Sequence, residues 1–183
     1  MNYKLKHSLP HKDNNYLFSI LKSRGIGDVE TYLNPTINLL LDPQLLNNIE
    51  RGAEELYSCL EANEEIFLQV DSDADGYTSA AILYNYIKRF EPKAKITIRF
   101  HEGKQHGVIP STVPDNTSLV LLPDSGSNQF EEHRELAERG ISVLVIDHHL
   151  ADHESEDAII INNQLSPLYS NKSLCGAGVV YKF

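Results

Sequence analysis

Residues 66–76 read IFLQV followed by DSDADG, a five-residue apolar run that stops on three aspartates spaced every second position, Asp71, Asp73 and Asp75. The run is too short for a buried helix and has the length of a buried strand. From Ser79 to Phe90 the pattern changes, with Ala80, Ala81, Leu83, Tyr84 and Ile87 at helical spacing. Strand, acidic turn and helix therefore follow one another. The same order recurs downstream: short apolar runs at Ile96–Phe100, Leu119–Leu122, Val143–Ile146 and Ala158–Ile161, with a helical stretch at Gln129–Arg139. Strands that are apolar throughout, alternating with helices, predict an α/β fold in which a parallel sheet carries helices on both faces.

Upstream, Leu17, Ile20 and Leu21 precede a stop at Gly25, Asn34-Pro35 marks a break, and Leu46, Ile49, Ala53, Leu56 and Leu60 repeat at helical spacing. The expected division is a helical segment over residues 1–60 and the α/β domain over 61–183. With 183 residues, 41% hydrophobic and 23% charged, the chain has the composition of a globular protein with one main core. No apolar run approaches membrane-spanning length, and MNYKLKHSLPHKDNN lacks the apolar stretch of a secretory signal. A soluble, cytoplasmic protein with no membrane partner is expected. Cys59 and Cys175 lie far apart without a CxxC motif, so they read as reduced thiols. The net charge of -10 opposes binding to nucleic acid. Solvated runs around Glu131–Glu138 and Asp152–Asp157 account for part of it, and a carboxylate cluster that cations would neutralise accounts for another part.

Three polar clusters begin at or near predicted strand ends: Asp71 to Gly76, Asp124-Ser125-Gly126-Ser127, and Asp147-His148-His149. In an open parallel sheet the carboxyl ends of the strands share one edge, so the clusters are expected to converge. DSDADG also resembles the start of a calcium-binding EF-hand loop, but the twelfth position is Ile82, where that loop needs a bidentate Glu. Close carboxylates repel unless a cation lies between them. Aspartates combined with imidazoles at one crevice suit two divalent ions, which clamp the attacking and leaving oxygens of a phosphoester. Metal-assisted phosphoester hydrolysis is the expected reaction class. The segment Cys175-Gly176-Ala177-Gly178 reads equally as a glycine turn before a helix and as a phosphate cradle.

These residues resemble the DHH phosphoesterase superfamily, and within it the RecJ-type single-stranded-DNA exonucleases of DNA repair and recombination. VDSDADGYTSAAIL, LLPDSGS, VLVIDHHL and CGAGVVYKF resemble four successive RecJ segments, and SRGIGDVETYLNP with DPQLLNNIERGAEEL resembles the RecJ entry region. The resemblance implies a metal set of Asp71, Asp73, Asp75, Asp124 and His148: Asp73 and Asp75 on different ions, Asp124 bridging them, and Asp71 joining or supporting the site. It makes His149 the contact to the scissile phosphate or its water, and Asp147 the group that orients the histidines. Substrate contacts fall on His106, Ser127, Gly176 and Gly178. Two divalent cations are implied, Mn2+ first and Mg2+ as the alternative, with single-stranded DNA as substrate and 5′ to 3′ polarity. Asn162-Asn163 stands where the family often has Asn-Pro.

The family's fourth motif supplies a further metal-binding Asp beyond the glycine turn, and its second domain helps hold the nucleic acid. A C-terminal domain or a separate chain is therefore expected to complete the site, with weak or no activity from residues 1–183 alone. Two other readings stay open: a small-substrate phosphodiesterase or pyrophosphatase of the same superfamily, and a non-catalytic DHH-fold scaffold subunit of a replication complex.

Overall fold

A computed structural model describes residues 16–183, and the expectations placed on residues 1–15 lie outside them. The chain divides into two compact units between Leu41 and Asp42. In the first unit, Tyr16–Ser23 forms helix α1 and Val29–Leu33 forms α2. Gly25, with φ +88°, takes the left-handed conformation expected of a residue that ends a helix. Asp28 caps α2 by accepting a hydrogen bond from Thr31 N at 3.0 Å. This region is less continuously helical than its sequence pattern suggests, because a short 3-10 turn, Ile37–Leu39, follows the break at Asn34-Pro35.

The second unit contains α3 (Ile49–Glu61), β1 (Glu65–Val70), α4 (Ala74–Phe90), β2 (Lys95–Phe100), β3 (Thr117–Pro123), α5 (Phe130–Glu138), β4 (Ser142–Asp147), β5 (Ile159–Asn162) and α6 (Gly176–Lys182). Its five strands pair in the order β2-β1-β3-β4-β5, and every pairing is parallel. Successive side chains on a strand point to opposite faces. Phe67, Val120, Leu122, Val145 and Ile160 share one face and pack with Val108, Val113 and Leu136 of α5 in one buried cluster. Leu144 and Ile161 face the other side, where α3 lies so close that a Cβ on Gly52 would sit 2.7 Å from Ile161 Cδ1 and 3.0 Å from Leu144 Cδ1. Helices α4 and α6 also pack on the sheet, against β1 and β4 respectively.

Two local expectations change. The buried stripe of α3 runs through Gly52, Leu56 and Cys59, while Ala53 is exposed. The helix closest to a sheet places its smallest residue at the contact, which a count of apolar residues passes over. Helix α4 starts at Ala74, five residues before the apolar pattern begins. Asp73 Oδ1 accepts hydrogen bonds from Asp75 N and Gly76 N, both at 2.9 Å, so the acidic turn is itself the capped helix N-terminus.

The chain runs from β1 out to β2, then crosses back to β3 on the other side of β1. That reversal places a topological switch point between the carboxyl ends of β1 and β3, the position where parallel sheets open a crevice. Asp71 follows the first of these strands and Asp124 the second.

Candidate metal centre

Asp124, directly after β3, is held in a backbone conformation that costs energy. Its φ of +70° lies in the left-handed region, uncommon for a residue with a Cβ. Its amide donates to Ile146 O of the neighbouring strand at 2.8 Å. The residue is 1% exposed, and neither carboxylate oxygen has a hydrogen-bond partner among the described residues. Burial, followed by the negative charges of Asp75 and Asp147, pushes its pKa up to about 8. His148 Nε2 lies 3.3 Å from Asp124 Oδ1 and 3.6 Å from Asp75 Oδ2. An orphaned, buried carboxylate beside an imidazole and further aspartates is the donor set a divalent cation satisfies. Among the described residues, two such groups have donor atoms within 4.8 Å of one another, Asp124 with His148 and His149, and Asp71 with Asp73 and Asp124. Asp124 is common to both.

The other ligand candidates have protein partners already. Asp73 spends one oxygen on the cap of α4. Asp75 accepts from Gly176 N at 2.8 Å through Oδ2 and from Ala177 N at 2.9 Å through Oδ1. Burial raises the pKa of Asp75, but these two amides, the Cys175 side chain and His148 outweigh it and leave the carboxyl below its usual range. The glycine turn thus presents its amides to a side chain of the first motif. A Cβ on Gly176 would run into the Asp124 carboxylate, whereas one on Gly178 would meet only Leu174, with Cδ2 at 3.1 Å.

Asp147 is buried, with four donors on its carboxylate: His148 N at 2.7 Å, His149 N at 3.2 Å and His149 Nδ1 at 2.8 Å on Oδ1, and Ser127 N at 3.2 Å on Oδ2. Burial opposes ionisation of this group, but the bonds from His149 and Ser127 prevail and hold its pKa down to about 2. In return Asp147 raises His149 to about 9, against the opposing effect of burial. Ser127, 2% exposed, accepts from Asn162 Nδ2 at 2.8 Å, and the same amide group donates to His149 O at 2.9 Å. Asn162 thereby ties the second and third motifs together from the end of β5, a role its sequence position did not reveal.

Asp71, buried, accepts from His106 Nδ1 at 2.8 Å on Oδ2 and from Gly107 N at 3.3 Å on Oδ1. Buried His101 Nε2 lies 3.9 Å from Oδ1. Gln129 fixes the 106–108 loop by accepting from Val108 N at 2.7 Å and donating to Val108 O at 3.0 Å. A cavity of about 370 Å³ opens beside the aspartates, lined by Asp71, His106 and Gly107, by the Ser125 to Gln129 turn, and by Asp147 and His149. The structure therefore brings Asp71, Asp73, Asp75, Asp124, Asp147, His148, His149, His106, Ser127 and Gly176 to one edge of the sheet. Sequence reasoning missed His101 and Gln129, and placed Ser125 in the second polar cluster without a role of its own; its buried hydroxyl has no partner among the described residues.

The family model for the DHH family, N-terminal domain, matches residues 65–183. The chain belongs to the DHH family. This DHH domain is similar to a candidate single-strand DNA-specific exonuclease, YorK, of the SPbeta prophage in Bacillus subtilis strain 168, with 50% identity over 175 residues covering 93% of the chain and 30% of that protein. It is also similar to the single-stranded-DNA-specific exonuclease RecJ of Thermus thermophilus, with 32% identity over 150 residues covering 77% of the chain and 22% of that protein. Among solved structures, exonuclease RecJ bound to manganese superposes with a TM-score of 0.69 at 28% identity, over 78% of this chain and 38% of that one. RecJ from Thermus thermophilus in complex with Mn2+ gives 0.69 at 27% identity, over 88% of this chain and 23% of that one. The domain is RecJ-like in both sequence and fold. It spans less than a third of the length of these curated relatives. No helix among the described residues is long and apolar enough to cross a membrane.

Proposed function

We propose that this DHH domain, residues 61–183, holds two divalent cations, Mn2+ or Mg2+, and hydrolyses phosphodiester bonds of single-stranded DNA as a 5′ to 3′ exonuclease in the cytoplasm. The observation that carries the reading is Asp124, a buried carboxylate with both oxygens unpartnered among the described residues, set among Asp71, Asp73, Asp75 and His148. The manganese in the related RecJ structures supports it.

In this reading Asp124 is shared between the cations, Asp73 and Asp75 serve one each, His148 adds an imidazole, and Asp71 joins or supports the set. Such ions, when bound, supply the positive charge that offsets the oxygens of a phosphoester as it is displaced. The protein's own groups do the rest. Asp147 holds His149 by Nδ1 and favours its protonated form, which directs the ring's other nitrogen toward a phosphate oxygen as a donor. Asn162 holds the backbone that carries this imidazole. The glycine turn fixes Asp75 through two amides, which leaves a lone pair on each oxygen for a cation. Following the resemblance, a C-terminal domain or a separate chain contributes a further carboxylate and the surface that grips the nucleic acid.

The test is Mn2+-dependent release of mononucleotides from a single-stranded oligonucleotide by the full-length protein. Asp73→Ala and His148→Ala are expected to abolish release and leave the circular dichroism spectrum unchanged; retained cleavage in either variant would exclude the site. Faster turnover of cyclic dinucleotides or pyrophosphate than of DNA would reassign the substrate.

A further inference from the structure

Exposed aromatic rings are informative where they cluster. Tyr77 and Phe100, 49% and 54% exposed, stack on each other with ring centroids 5.7 Å apart and planes 20° from parallel. Both are fastened to the metal centre through the backbone. Tyr77 lies in the first turn of α4, and its amide donates to Asp73 O at 3.0 Å. The preceding Gly76 lets this turn press on the first motif, since a Cβ there would lie 2.6 Å from Asp71 Cβ. Phe100 ends β2 in register with Val70, the residue before Asp71. The pair therefore sits at the carboxyl edge of the sheet next to Asp71 and Asp73, and neither ring lines the 370 Å³ cavity.

The chemistry of this edge narrows its occupant. β2 is the outer strand of the sheet, and between it and α4 an apolar cavity of about 270 Å³ is lined by Leu68, Val70, Ala80, Tyr84 and Ile98 together with the two rings. Holding a phosphate here would require cations. The chain carries a net charge of -10, and Arg99, beside Phe100, donates to Gln69 Oε1 at 3.0 Å and lies 3.2 Å from His101 Nδ1. Bases need no such charge, because every base has a π-face that stacks on an aromatic ring. An aromatic, apolar surface continuous with the carboxylates of a phosphoesterase site is thus fitted to the base of a nucleotide whose phosphates lie toward the cations.

We propose that Tyr77 and Phe100 form a stacking platform for a base of single-stranded DNA beside the metal centre. The ligand class rests on the phosphoesterase reading of the site; the platform adds to that site a grip that is indifferent to base identity and independent of Lys or Arg. Tyr77 and Phe100 bind the strand and take no part in the chemical step.

The experiment measures binding of the full-length protein to oligothymidylate and to an abasic strand of the same length, by fluorescence anisotropy in EDTA so that nothing is cleaved. The wild type is expected to prefer oligothymidylate. Tyr77→Leu and Phe100→Leu keep an apolar side chain and remove the ring. Each is expected to lose about tenfold on oligothymidylate, the size of one base–aromatic stack, and nothing on the abasic strand. Tyr77→Phe keeps the ring and should bind as the wild type does, and all three variants should take up Mn2+ with wild-type affinity in calorimetry. Unchanged oligothymidylate affinity in both leucine variants would overturn the proposal. Equal losses on the two strands would also overturn it, and with lowered stability in urea would mark the patch as a protein-docking face. Equal wild-type affinity for both strands would sink the platform alone, whereas a wild type that neither binds nor cleaves oligothymidylate would sink the DNA reading and the platform with it.

Discussion

The carboxylate of Asp75 accepts hydrogen bonds from the backbone of Gly176 at 2.8 Å, joining the first motif to a turn 101 residues further along the chain. The same turn brings Gly176 so close to Asp124 that no side chain fits between them. Replacing Gly176 by Ala is therefore expected to displace either α6 or the Asp124 carboxylate. We expect a loss of about 1–3 kcal/mol in urea unfolding, typical of overpacking, together with weaker Mn2+ binding. Gly178→Ala meets only a flexible leucine and should cost less on both counts. Equal effects at the two positions would contradict the packing argument.

Asn162 is fully buried, and its amide donates to Ser127 Oγ and His149 O while its carbonyl accepts from Gln164 N at 2.7 Å. Asn162→Ala leaves these groups unpaired and is expected to cost about 1–3 kcal/mol of stability. It should lower kcat more than KM, because it loosens the segment carrying His149. Wild-type turnover in this variant would show that the network is structural only.

His133 on α5 is buried, and neither ring nitrogen has a hydrogen-bond partner among the described residues. Burial depresses its pKa to about 4, from an ordinary value of 6.5. Between these values the unfolded chain binds the proton and the folded one does not, so this residue makes stability fall as pH drops from about 6.5 to about 4. Melting temperatures across that window are expected to fall less steeply for His133→Phe than for the wild type. Parallel profiles would show that His133 does not titrate as its burial implies.

Much of this architecture is legible in the chain. All five apolar runs became parallel strands; β1, β3, β4 and β5 are buried almost throughout, where period-two alternation is not needed, whereas β2 is a largely exposed edge strand. The convergence of Asp71, Asp124 and Asp147 followed from their positions at or just after the ends of β1, β3 and β4. What stayed hidden depends on contacts distant in sequence. Nothing local says that Gly52 is the point of closest approach of α3, that Gly176 and Ala177 hold Asp75, or that Asn162 bridges Ser127 and His149. The early start of α4 was available in principle, since Asp73 before Ala74-Asp75-Gly76 is a helix cap, but the carboxylate spacing drew attention to metal binding alone.

The central claim is that Asp124 is the carboxylate shared by two cations. Calorimetric titration of the purified protein with Mn2+, compared with Asp124→Asn, tests it most directly. The account predicts metal binding by the wild type with proton release as Asp124 ionises, given its pKa of about 8, and near-complete loss of that binding in the variant. Mn2+ affinity and stoichiometry that are the same in both proteins would contradict it.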